Sequence, residues 1–163
     1  MDKNIYLMLN TQIQKEFESA YLYLSIASYF DSLNLKGFSN WFKIQASEEE
    51  EHAMRFYDFL MKNNQKINLL PIKAPDIKFE NTLQVLECAL TNEKYVTKLI
   101  NSIYLNAKEI NDFCTMNFLG WFISEQLEEE LKAQSLIDQY KLFGKDSQGI
   151  FQLDKEYSKR KIK

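Results

Sequence analysis

Glu49 and His52 stand three residues apart in "QASEEEEHAMRF" (Gln45 to Phe56), and His52 is the only histidine of the chain. On a helix that spacing projects both side chains from one face. A carboxylate beside an imidazole can ligate a first-row divalent cation. Alone, the pair decides nothing: E-x-x-H recurs by chance in acidic helices, and a lone histidine is often structural. Three further glutamates give it meaning: Glu16 in "LNTQIQKEFESAYLYL", Glu93 in "TNEKYVTKLIN" and Glu129 in "NFLGWFISEQLEEEL". Each falls in the middle of its own amphipathic segment.

Four segments carry the helical period, from about Asn4 to Leu33, Gly37 to Asn63, Thr82 to Glu109 and Phe113 to Phe143. A shorter fifth, Ser147 to Arg160, follows the break "FGKDSQG". The links "NLK" and "IND" are short enough to force antiparallel neighbours. Between the second and third segments lies "NQKINLLPIKAPDIKFEN", with Pro71 and Pro75, long enough to run the length of a bundle. Two helical hairpins joined by one long crossover make an all-α four-helix bundle, with a short C-terminal fifth helix. The expectation is one domain over residues 1–163, its bundle at about 4–143 and its fifth helix at about 147–160.

The core stripes follow from steps of three and four residues. They read Leu9, Ile13, Glu16, Ala20, Tyr23, Ala27, Phe30; then Phe38, Phe42, Gln45, Glu49, His52, Phe56, Phe59. The third is Leu86, Ala89, Glu93, Val96, Ile100, Ile103, and the fourth Leu119, Phe122, Gln126, Glu129, Ala133, Leu136, Tyr140. One glutamate on each inner stripe is costly. An isolated buried carboxylate costs several kcal/mol even after relaxation, and four together repel one another. Two divalent cations would cancel the four charges. Oxygen-rich ligands with one imidazole suit iron or manganese, whereas a structural zinc site would want thiolates. Of the remaining acidic run, Glu50 and Glu51 point elsewhere, Glu51 towards an i, i+4 pair with Arg55, and Glu48 lies beside the inner stripe.

The bulk properties are those of a globular helical protein. Only four glycines and two prolines interrupt the chain, which disfavours a turn-rich β architecture. No apolar run approaches the ~18 residues of a membrane span. The opening "MDKNIYLMLN" lacks the basic-then-apolar order of a secretion signal. Cys88 and Cys114 are expected as two buried reduced thiols of a cytoplasmic protein. A net charge of -3 gives no general reason to bind nucleic acid, and the basic tail "KRKIK" reads as a solvated end.

These segments resemble the non-haem bacterial ferritins, and a C-terminal "GIFQLDKEYS" extends the likeness over nearly the whole chain. The resemblance implies a ferroxidase centre. Glu16, Glu49 and His52 would hold one iron, and Glu49 would bridge to a second held with Glu93 and Glu129. Gln126 would hydrogen-bond within the site, and Tyr23 would stand beside it. A third iron, as in many bacterial members, would map to Glu48, Glu125, Glu128 and Glu129. Trp121 is a family position too, with a redox role implied there, but a plain core tryptophan is the better reading.

Departures from related families narrow the resemblance. Helix four carries Gln126-Leu127-Glu128-Glu129 in place of a second Glu-x-x-His, unlike di-iron oxygenases and bacterioferritin. Glu50 stands where bacterioferritin would place its haem-ligating methionine, so no haem is expected. Without C-x-x-C pairs, a rubrerythrin is disfavoured. Leu127 replaces a common histidine at a position expected to face away from the metals. The implied function is iron storage: Fe(II) oxidised by dioxygen or peroxide and kept as Fe(III) mineral inside a shell of twenty-four identical subunits. The alternatives are a di-iron peroxidase or oxidase that stores no mineral, and a DNA-protecting shell.

Overall fold

A computed structural model describes residues 1–76 and 78–162; Ile77 in the crossover and Lys163 at the end of the basic tail lie outside the described residues. Five helices follow one another: α1 (Lys3–Ser32), α2 (Lys36–Lys62), α3 (Thr82–Glu109), α4 (Phe113–Phe143) and α5 (Ser147–Tyr157). α1 packs along α2 and α3 along α4, the two antiparallel hairpins of a four-helix bundle, and α5 lies against α2 and α4.

Local chemistry sets the ends. Asp2, Asn81, Asp112 and Asp146 accept backbone N–H groups at the starts of α1, α3, α4 and α5. The C-terminal ends of α1, α2 and α3 each pass through an asparagine with positive φ: Asn34 at 59°, Asn64 at 54° and Asn111 at 56°. Behind each, an amide reaches back across the last turn: Leu35 to Phe30, Gln65 to Leu60 and Asp112 to Ala107. These are Schellman closures made by the residue that best tolerates the left-handed region after glycine.

α2 has no side-chain cap of its own. Asp154, on α5, supplies one from a distance: its Oδ1 accepts Gly37 N–H at 2.7 Å and Phe38 N–H at 3.0 Å. A Cβ on Gly37 would stand 1.6 Å from the Asp154 carbonyl oxygen, so only glycine admits this approach.

The crossover runs the length of α1. Tyr6 donates to the Lys66 carbonyl, Asn10 exchanges two hydrogen bonds with Asn68, and Gln14 donates to the Pro71 carbonyl. At the far end Phe79 packs edge-on against Tyr29.

Two apolar half-cores fill the interior. One gathers Tyr23, Phe30, Phe38, Phe42, Leu86 and Leu136, the other Leu9, Ile13, Phe56, Ile100, Leu119 and Phe122. Between them lies a polar layer of buried Glu16, Gln45, Glu49, His52, Glu93, Gln126 and Glu129. The traced stripes are buried except for Phe59 and Tyr140, which are half-buried; Leu60 fills the place expected for Phe59.

Three expectations are corrected. α5 stops at Tyr157 rather than Arg160, because the last amides close tight turns onto Glu156 and Tyr157. Cys114 is exposed and Cys88 half-buried; neither is a buried thiol. Arg55 makes no pair with Glu51; its guanidinium lies over the Trp121 ring, 3.9 Å from the centroid. Among the described residues no helix is long and apolar enough to cross a membrane.

Candidate metal centre

The polar layer brings together a carboxylate from each bundle helix. Glu16 (α1), Glu49 and His52 (α2) offer ligand atoms that lie within 4.8 Å of one another, and so do Glu49, Glu93 (α3) and Glu129 (α4). Glu49 belongs to both groups. All five side chains are at most 4% exposed, so none of them is neutralised by bulk water.

The hydrogen bonds are lopsided. Gln12 donates to Glu16 Oε1 at 2.9 Å, and Gln45 Nε2 donates to Glu49 Oε1 at 3.0 Å and Glu129 Oε2 at 2.7 Å. Tyr23 O–H donates to Glu93 Oε1, and Gln126 Nε2 donates to Glu93 Oε2 at 3.1 Å. Those donors reach one oxygen each of Glu16, Glu49 and Glu129 and both oxygens of Glu93. Three cage atoms remain unpartnered: Glu16 Oε2, Glu49 Oε2 and His52 Nδ1 are buried without a hydrogen bond. His52 Nδ1 faces Glu49 Oε2 at 3.4 Å, an ion-pair separation without hydrogen-bond geometry. Each such orphan costs about 1–3 kcal/mol. Three orphans, all in one candidate ligand group, fit a cation as their missing partner.

The proton affinities report the same strain. Burial above all, with the Glu49 charge beside it, pushes the Glu16 carboxyl up to about 8. Burial, then Glu49 and Glu129, raise Glu93 well above the usual carboxylate range. Burial also lifts the Tyr23 phenol, with Glu93 adding to it, so the hydroxyl stays a donor. Burial disfavours the His52 cation, yet Glu49, Glu16 and Glu129 outweigh it and push the imidazole up to about 9. Near neutral pH the cage therefore meets its charge problem by keeping protons, and a cation that enters must displace them.

Around the outside, Trp121 sets its ring edge-on to His52, with centroids 5.5 Å apart, and is itself 38% exposed. Leu127 is 65% exposed and points away from the cage. Glu48 and Glu125 are half-buried near Glu129, while Glu128 is exposed.

Two cations that sequence reasoning did not place complete the surroundings. Lys132, one helical turn after Glu129, donates to Glu129 Oε1 at 2.8 Å. Arg160, from the supposedly solvated tail, lies over Trp41 at 4.1 Å from the ring centroid. It donates to the Trp41 carbonyl at 3.1 Å, to Gln45 Oε1 at 3.0 Å and to Glu48 Oε2 at 2.6 Å. Lys132 had a signal, an i, i+3 spacing from a core glutamate; Arg160 had none, since its contacts lie more than a hundred residues away.

Known proteins resemble this chain over nearly its whole length. The Ferritin-like domain family matches residues 6–143. A bacterial non-heme ferritin of Campylobacter jejuni is 34% identical over 154 residues, covering 94% of this chain and 92% of its own. One of Staphylococcus epidermidis is 31% identical over 160 residues, covering 98% and 96%. Among solved structures, an open-pore ferritin from the hyperthermophilic archaeon Archaeoglobus fulgidus superposes with a TM-score of 0.96 at 40% identity, over 99% of both chains. A closed form of the same ferritin, engineered by site-directed mutagenesis, gives 0.97 at 40% identity, over 100% of this chain and 99% of that one. The family model spans most of the chain and these relatives match it nearly end to end, so the chain belongs to the ferritin family.

Proposed function

We propose that this protein stores iron, oxidising Fe(II) at the paired cage within each subunit and holding the Fe(III) product as mineral inside a hollow homo-oligomeric shell, of twenty-four copies as the family resemblance implies. Fe(II) is the substrate, and dioxygen or peroxide the oxidant. The observation that carries this reading is the shared carboxylate: Glu49 belongs to both ligand groups, so two ions would sit side by side. Two Fe(II) ions give up one electron each. Dioxygen accepts that pair with two protons to become hydrogen peroxide, and hydrolysis of Fe(III) returns protons to solvent.

The chain's own residues do the rest. Glu16 and His52 lose their protons as the first ion binds, and Glu93 loses its own as the second does. Hard anionic oxygens favour the ferric over the ferrous state and so promote the oxidation. Tyr23, Gln45 and Gln126 fix the orientation of the ligand carboxylates by hydrogen-bonding to them. The two apolar half-cores close the cage off on either side.

Aerobic loading of metal-free protein with Fe(II) far beyond two ions per chain tests this. Gel filtration should recover most of the iron soluble and co-eluting with a large protein shell. Saturation at the cage, with the excess precipitating, would replace storage by a di-iron oxidase or peroxidase.

A further inference from the structure

Beside the paired cage, Glu48 of α2 and Glu125 and Glu129 of α4 turn carboxylates towards one point. A cation already stands there. Lys132 Nζ is 2.8 Å from Glu129 Oε1, 3.7 Å from Glu48 Oε2 and 3.9 Å from Glu125 Oε1. The lysine is largely enclosed, with 27% of its side chain exposed, and the three glutamates show 18%, 20% and 1%. Arg160 shares the same Glu48 oxygen, taking Oε2 at 2.6 Å.

We propose that the Lys132 ammonium is the built-in cation of the pocket formed by Glu48, Glu125 and Glu129, so that each subunit loads a pair of ions and excludes a third. This rests on the reading of the cage as a two-ion site. Three carboxylates there face two side-chain cations, Lys132 and Arg160. Without Lys132, three carboxylates would face one, an imbalance that a single divalent ion would cancel. The lysine has an advantage over any ion from solution. It is tethered within reach of its anions, at an effective concentration of order millimolar, whereas a free ion must displace it. Glu129 belongs to both assemblies, so the ammonium also withdraws its Oε1 from metal binding while leaving the opposite oxygen to the cage.

The test uses the assembled, metal-free protein and Zn(II), which binds such ligands without being oxidised. Isothermal titration gives equivalents per chain, and anomalous diffraction locates them. Wild type and Lys132→Arg, which keeps the charge, should take up two ions per chain. Lys132→Gln and Lys132→Ala should gain one equivalent, located between Glu48, Glu125 and Glu129. A wild type that already binds three ions overturns the proposal, as does a folded Lys132→Gln shell that loads its pair normally and gains nothing. A wild type that binds fewer than two overturns the two-ion reading and this proposal with it.

Discussion

Arg160 orients Gln45. Its guanidinium donates to Gln45 Oε1 at 3.0 Å, which turns the amide's Nε2 between Glu49 Oε1 and Glu129 Oε2. A side chain three residues past the end of α5 thereby settles which way an amide faces inside the cage. Replacing Arg160 by Met keeps much of the packing on Trp41 and removes the donors. Binding of Zn(II) to the cage should weaken by about 10-fold, the lower end of what loss of an outer partner does to a metal site. Unchanged affinity in a folded Arg160→Met shell would show that Gln45 needs no orienting partner.

The protons held by the cage give the metal-free protein an unusual pH response. Glu16 has a folded pKa of about 8 against an ordinary 4.5, so it contributes stability in full below the ordinary value and loses it as pH rises through the folded one. Glu93 and His52 are raised too, and act with the same sign. Metal-free protein should therefore melt progressively lower as pH climbs from about 5 to 8. Glu16→Gln should flatten that slope, because glutamine has no proton to lose. Melting curves of both proteins across the range decide it; parallel slopes would mean that Glu16 titrates normally.

The same protons would make metal uptake a proton-releasing event. Loading Zn(II) at pH 7 into weakly buffered protein should acidify the solution, more strongly at pH 6 than at pH 9. A pH electrode or an indicator dye suffices, and an absence of release at pH 6 would contradict the protonated cage.

Glu49 is the one side chain common to both candidate ligand groups. Glu49→Gln should abolish paired binding and lower the initial rate of Fe(II) oxidation by about 100-fold or more, as expected for loss of a ligand that outranks any outer partner. Glu16→Gln strips only one group and should leave a single ion bound between Glu49, Glu93 and Glu129. Equal losses in the two variants would argue against a shared carboxylate.

Gly37→Ala tests the far end of the scaffold. The new Cβ would overlap the Asp154 carbonyl, forcing α5 away from the start of α2. The cost should be about 1–3 kcal/mol from overpacking, with up to about 2 more if the Asp154 cap is lost. Because Arg160 follows α5, calorimetry and Zn(II) affinity should worsen together.

The cage was legible in the sequence because helices write their inner face at a fixed period. Glu16, Glu49, His52, Glu93 and Glu129 each fall on such a face, and the steps of three and four that located them are local geometry. The helix limits were legible for the same reason, within a residue for α1 to α4. What the sequence hid is long-range or competitive. Arg160 contacts Gln45 only because α5 folds back over α2, and nothing near residue 160 signals it. Glu51 and Arg55 had the right spacing for a pair, but the Trp121 face won the guanidinium. The asparagine closures at Asn34, Asn64 and Asn111 replace the glycines that usually mark helix ends, so the scarcity of glycine concealed them.

The polar layer between the two half-cores also determines how the helices align. Apolar bundles tolerate sliding, since one leucine fits a hole much as another does. Here a helix displaced by one turn along its neighbours would set a glutamate against Phe56 or Phe122 and leave its former partners without one. A misaligned bundle would strand charged groups in hydrocarbon at several kcal/mol each. The carboxylates that would receive iron thus act as a register key, admitting one alignment of the four helices before any metal arrives.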